Sequence, residues 1–105
     1  MNNLYQQEKK MIKPLVEFIG SFIFFSVILS QGQAIPIGLA LAAVIYFGGA
    51  ISGGHFNPGV SLMMLIKGTI TSPEFLQFIL VQGLAAVAAV YFAKWAATAV
   101  PKVVA

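Results

Sequence analysis

The sequence predicts an all-α membrane protein with three transmembrane helices and one re-entrant half-helix. Three observations carry this prediction. Of the 105 residues, 59% are hydrophobic and 9% charged, with a mean hydropathy of +0.91, a composition that ordinary soluble domains do not have. Three apolar runs approach or exceed the ~20 residues that a helix needs to cross a bilayer. A fourth apolar run is far shorter and follows backbone that no continuous helix would tolerate.

The first run, Pro14 to Leu29, is interrupted by Glu17, Ser21 and Ser26 and ends at Ser30-Gln31-Gly32-Gln33. Residues 1–13 ahead of it form a polar segment carrying Lys9, Lys10 and Lys13. Lysines before an apolar run also open secretory signals, but no clean small-x-small cleavage site follows, and an acid inside the run is foreign to a signal. The second run, Ala34 to Ile51, holds Pro36 near its start, where proline suits a first helical turn.

Ser52-Gly53-Gly54-His55-Phe56-Asn57-Pro58-Gly59 then breaks the helix. The apolar residues Val60 to Ile66 end at Lys67-Gly68. A helix from Pro58 to Lys67 covers about 15 Å at 1.5 Å per residue, half of a hydrocarbon core of about 30 Å. It cannot span. Irregular backbone survives at membrane depth only against protein or a water-filled cavity, so this segment reads as a re-entrant half-helix. Thr71-Ser72-Pro73-Glu74 opens the third span with a hydroxyl cap, an early proline and an acid at the positive helix end. That span runs from Phe75 to about Thr98, placing a single membrane domain at residues 14–100 and a tail at 101–105.

Three spans put the termini on opposite sides of the membrane. Lys9, Lys10, Lys13 and Lys67 share one face, and Lys94 and Lys102 take the other. This bias favours a cytoplasmic N-terminus, and its weakness is also the pattern of a chain that inserts both ways round. The net charge of +3 is therefore flank charge, and with no arginine it forms no nucleic-acid surface. The chain has no cysteine, one histidine and only Glu8, Glu17 and Glu74 as acids. Neither a metal site nor a cofactor is expected from such a set, and an enzyme is not expected either.

Asn57-Pro58 is the most informative pair. Proline fixes the first helical residue, while the asparagine carbonyl caps free backbone N–H groups and its amide points elsewhere. The helix end adds about half a positive charge, repelling cations and offering donors to a polar neutral molecule. A plain capped turn is the alternative, and the glycines upstream and the half-length helix downstream count against it. Gly53 and Gly54 permit positive φ and free carbonyls to face a cavity, although Gly49 and Gly53 also form a small-xxx-small packing pair.

Glu17 lies about one turn inside the first span, where an ionisable group is costly and calls for a partner. It serves either a proton-coupled substrate site or as the buried acceptor for backbone N–H groups of the broken loop. The second role is favoured because a re-entrant loop creates donors that need acceptors. Gln82, facing inward from the third span, joins the same network. His55 and Phe56 belong to the loop, His55 as a structural or gating hydrogen-bonding group. Ser52, His55 and Glu17 suggest a triad on paper, but loop anchoring accounts for them better. The alanines from Ala85 to Ala97 form a close-packing face, while Tyr91, Lys94 and Trp95 suit an interfacial belt.

These residues resemble the aquaporin and glycerol-facilitator family, the major intrinsic proteins, and specifically their first half. Ser52-Gly53-Gly54-His55-Phe56-Asn57-Pro58-Gly59-Val60-Ser61 is similar to the loop carrying that family's first Asn-Pro-Ala box. Glu17-Phe18-Ile19-Gly20-Ser21-Phe22 resembles its first-helix pattern, and Gln82 its third-helix glutamine. The likeness runs from about Val16 to Ala97. Gly59 stands where the family usually has alanine. Family members fuse two such halves with inverted topology, so the resemblance implies that this chain pairs with a second copy in the opposite orientation, completing one pore. The family's tetramers of pores would correspond to about eight copies.

The resemblance also implies a pore lined by Asn57, Pro58 and Gly59, with Val60 in the position of the family's filter arginine. Ile37 takes the place of the filter aromatic, Ile45 that of the histidine, and Gly54 the loop position. The expected function is a passive channel for water or a small neutral solute, embedded in the lipid bilayer. Two alternatives remain: a non-conducting structural protein with this fold, attached to another membrane complex, and a small proton-coupled multidrug exporter built around Glu17.

Overall fold

A computed structural model describes residues 3–99. The tail at 101–105, with Lys102, lies outside the described residues. Four helices follow in order: α1 (Asn3–Gln31), α2 (Ala34–Ser52), α3 (Pro58–Lys67) and α4 (Ser72–Ala99). Three of them, α1, α2 and α4, are long and apolar enough to cross a membrane, and the 10-residue α3 is not. The protein is an integral, multi-pass membrane protein.

Each boundary has a local cause. α1 starts well before Pro14, which lies inside the helix. Proline deletes only its own bond to the carbonyl of Lys10, and Gln6 to Met11 are strong helix formers that carry the helix past it. α2 stops at Gly53, whose φ of 99° is left-handed and whose amide donates to Gly49 O at 2.8 Å. α3 ends the same way at Gly68, with φ 88°, while Thr69 N donates to Met64 O at 2.8 Å. α4 begins with a reciprocal capping box, in which Glu74 N donates to Thr71 Oγ1 at 3.3 Å and Thr71 N donates to Glu74 Oε1 at 2.9 Å.

α1 is the centre of the packing. It contacts α2 on one side and α4 on the other, and α3 packs against α4 and no other helix. Ala85 and Ala89, one turn apart and fully buried, let the α1 and α4 backbones approach closely. The remaining buried apolar side chains among the described residues are Val44, Phe56 and Phe78; Phe56 belongs to the loop between α2 and α3, and Phe78 meets the ring of His55 in that loop. At the end of the bundle where α4 begins, Lys13 Nζ meets Glu74 Oε2 at 3.3 Å and ties α1 to the start of α4.

Candidate functional site

The α2–α3 loop is built around one carboxylate. Glu17 is fully buried, and each of its oxygens takes two hydrogen bonds. Oε2 accepts from Ser52 Oγ at 2.7 Å and from His55 N at 3.0 Å. Oε1 accepts from Phe56 N at 2.7 Å and from Gln82 Nε2 at 3.0 Å. A buried ionised group is tolerable only when its hydrogen-bonding capacity is filled, and these four donors fill it. One side chain of α1 thereby holds the end of α2, the irregular loop and the middle of α4.

Phe56 is the strained point of the loop. Its φ of 53° makes it the only non-glycine residue with positive φ among the described residues, directly after Gly53 and Gly54 at 99° and 70°. Such a conformation costs on the order of 1–3 kcal/mol and persists only where surroundings impose it. Here the amide is fixed by Glu17, and the ring fills a slot between two glycines. Any side chain on Gly20 would collide with the Phe56 ring. At Gly48 a Cβ would stand 3.2 Å from the ring and 2.9 Å from Val16. The two glycines thus turn the α1–α2 contact into a socket for the loop.

A second relay connects the loop to the half-helix. Gln82 uses its other N–H to reach Ser61 Oγ at 3.0 Å, and Ser61 Oγ lies 2.8 Å from His55 Nδ1. Ser61 has one proton to give. Given to Nδ1, it leaves His55 neutral with its N–H on Nε2, beside Gly53, and every polar hydrogen of the Gln82 amide and Ser61 is then used. The His55 ring also meets Phe78 edge-on, with centroids 5.0 Å apart.

The opposite end of the loop is open. Asn57 caps α3 by accepting from Gly59 N at 2.7 Å, with Pro58 as the first helical residue. The Asn57 Nδ2 group has no acceptor among the described residues, and Asn57, Pro58 and Gly59 are all exposed. Val60 is half-buried. Upstream, Gly53 N donates to Gly49 O and Gly54 N to Ser52 Oγ at 3.2 Å. No hydrogen bond reaches the carbonyls of Gly53, Gly54 or His55 among the described residues. Ile45 borders this stretch, since a Cβ on Gly54 would lie 3.6 Å from its Cγ1. Ile37 is eight residues earlier in α2, about 12 Å along the helix axis, and half-buried.

The structure therefore brings Glu17, Gln82, His55, Phe56 and the glycines into one cluster, leaves Asn57, Pro58, Gly59 and Val60 on an open face, and keeps Ile37 apart from both. Sequence reasoning assigned no role to Ser61, Phe78, Gly20 or Gly48. Ser61 was the most findable, as the lone hydroxyl inside an apolar helix of ten residues.

The model of a family described as Major intrinsic protein matches residues 5–104. The chain is 38% identical over 88 residues to glycerol uptake facilitator protein-like 6 of Lactiplantibacillus plantarum, covering 75% of this chain and 41% of that protein. It is 37% identical over 89 residues to human aquaporin-10, covering 69% and 29%, and 40% identical over 58 residues to aquaporin Z of Brucella melitensis, covering 55% and 25%. It spans less than half the length of each of these relatives. No solved structure matches it significantly. With 100 of its 105 residues inside the family match, the chain belongs to the major intrinsic protein family.

Proposed function

We propose that this chain forms half of a passive channel for water or small neutral solutes, and that a second copy in inverted orientation completes the pore. The observation that carries this reading is the open end of α3: a capped, dipole-bearing helix start with exposed Asn57, Pro58 and Gly59, packed against α4 alone. A partial positive charge at that end disfavours cations, while the Asn57 amide donates and the Gly53 to His55 carbonyls accept. Those are the contacts a water molecule or a polyol needs. The names of the relatives, glycerol uptake facilitator and aquaporin, are in keeping with such permeants.

An inverted second copy suits both the charges and the surface. The lysines flank the spans with little asymmetry, and of the 19 residues of α2 only Val44, Gly48 and Ser52 are buried, leaving most of that helix for lipid or a partner. In such a pair Val60, Ile37, Ile45 and Gly54 line the narrow part of the pore from both sides. No arginine enters it, so the two Asn57 amides and the paired helix dipoles form the main barrier to cations. Assembly of four such pores gives eight copies, by analogy with the tetramers of full-length family members.

Two measurements test the reading. Purified protein in liposomes should raise water or glycerol flux above that of empty vesicles, and absent flux would remove the channel. Because the chain has no cysteine, Asn57→Cys provides a single reporter. It should form a disulfide-linked dimer in membranes, whereas two chains inserted in parallel would not bring these positions together. A coupled exporter is disfavoured by the four donors that close off Glu17, since a proton carrier must be reached by solvent or substrate.

A further inference from the structure

We propose that the outer groove between α1 and α2 holds one phospholipid whose zwitterionic headgroup carries a primary ammonium, the phosphatidylethanolamine class. The groove, about 290 Å³, is walled by Ile19 and Ile23 of α1 and by Ala43 and Phe47 of α2, with Gly20 and Gly48 in its floor. No charged side chain lines it. The missing side chains of the two glycines are replaced from inside by the Phe56 ring, so the slot has a closed, apolar bottom.

The groove continues into a second recess of about 420 Å³ through Ile51, which lines both. There Tyr5, Glu8 and Lys9 join the apolar Ile12 and Ala50. From Lys9 to Ile23 the helix rises about 21 Å, which matches one leaflet, taken as half of a bilayer of ~40–45 Å including its headgroups. An apolar slot of that length with charged groups at one end only has the shape of a single membrane lipid.

The charges choose the headgroup. Glu8 and Lys9 both line the recess, and neither forms an ion pair among the described residues, where Lys13 and Glu74 are joined instead. A lipid phosphate fits Lys9, and a primary ammonium fits Glu8 with a hydrogen bond that a quaternary choline cannot donate. A purely anionic headgroup satisfies Lys9 but faces Glu8 as a like charge. The site is separate from the proposed pore, because none of Asn57, Pro58, Gly59, Val60, Ile37, Ile45 or Gly54 lines the groove or the recess.

The test uses the full chain, extracted from vesicles containing equal amounts of phosphatidylethanolamine, phosphatidylglycerol and phosphatidylcholine with identical acyl chains. Lipids retained per chain are then counted by native mass spectrometry. The wild type should retain phosphatidylethanolamine about fivefold over either competitor, the ratio that ~1 kcal/mol gives. Glu8→Gln should remove the preference over phosphatidylcholine, and Lys9→Gln should weaken retention of all three. Ala43→Trp, which fills the slot from an exposed position, should abolish retention while helix content stays unchanged. Equal retention of the three lipids, preference for phosphatidylglycerol, or full retention by Ala43→Trp would each overturn the proposal. So would a wild type that holds no lipid but loses its oligomeric mass in Ala43→Trp, which would assign the groove to a neighbouring copy.

Discussion

The ring of Phe56 occupies the space that a side chain at Gly20 would need. This pairing of a loop aromatic with a helix glycine fixes where the re-entrant segment sits, because the non-glycine residue with the least favourable backbone conformation is also fully buried.

Gly20→Ala should therefore be costly. The methyl group meets an aromatic ring held by its own amide bond to Glu17, and overpacking of this kind costs about 1–3 kcal/mol. Thermal unfolding of the detergent-solubilised protein should register it. Gly38→Ala, in a helical stretch where an added Cβ meets nothing within 4 Å, should be neutral or slightly stabilising. Equal effects at both positions would mean that the slot is not tight.

Glu17→Gln exchanges an acceptor oxygen for an N–H2 group in the middle of four donors. At least one of the Ser52, His55, Phe56 or Gln82 donors must then lose its partner, at about 1–3 kcal/mol for each group left unpaired. The protein should unfold at lower temperature, and flux should fall with the amount of folded protein. A variant of unchanged stability that lost only transport would instead point to an exchangeable proton on Glu17.

How much of this could be read in advance differs along the chain. The bounds of α3 were legible because Asn57-Pro58 and Lys67-Gly68 are strong punctuation, each with a local physical reason. An acid inside an apolar run, ahead of a break rich in backbone donors, was enough to link Glu17 with the loop. The start of α1 was not legible, since Pro14 and the lysines look like a boundary while the helix formers before them continue the helix. The contact between Ser61 and Gln82 depends on how α3 crosses α4, and no spacing within either helix encodes that. The socket for Phe56 needs glycines on two helices to face each other, which only tertiary structure reveals.

Ser61→Ala should separate the loop's two supports. It leaves Glu17 and its donors intact but removes the shared partner of His55 Nδ1 and one Gln82 N–H. A loss of about 1–3 kcal/mol is expected if both groups stay buried and unpaired. Ser61→Thr keeps the hydroxyl and should retain most of the stability. Hydrogen exchange at the His55 and Phe56 amides should be faster in Ser61→Ala than in the threonine variant.

Val60→Arg places a cation at the exposed end of α3. Under the paired-pore reading, it should lower glycerol flux more than water flux, by about tenfold for an added barrier of ~1.4 kcal/mol. Ile37→Arg should act in the same direction. Phe24→Leu, on the first helix away from the loop, should leave both fluxes unchanged. Equal insensitivity of all three variants would remove these positions from the permeation path.

The central place of α1 also orders events in time. The amides of His55 and Phe56 find their acceptor on a helix that is made before them, so the loop can be seized by Glu17 as soon as α2 has turned back. The half-helix has no such early host. Among the described residues the one helix it packs against is α4, and its Ser61 hydroxyl, within reach of His55, meets Gln82 only after α4 is synthesised. Before α4 is in place α3 has only the His55 contact of its own loop, and the last span completes its docking through Gln82.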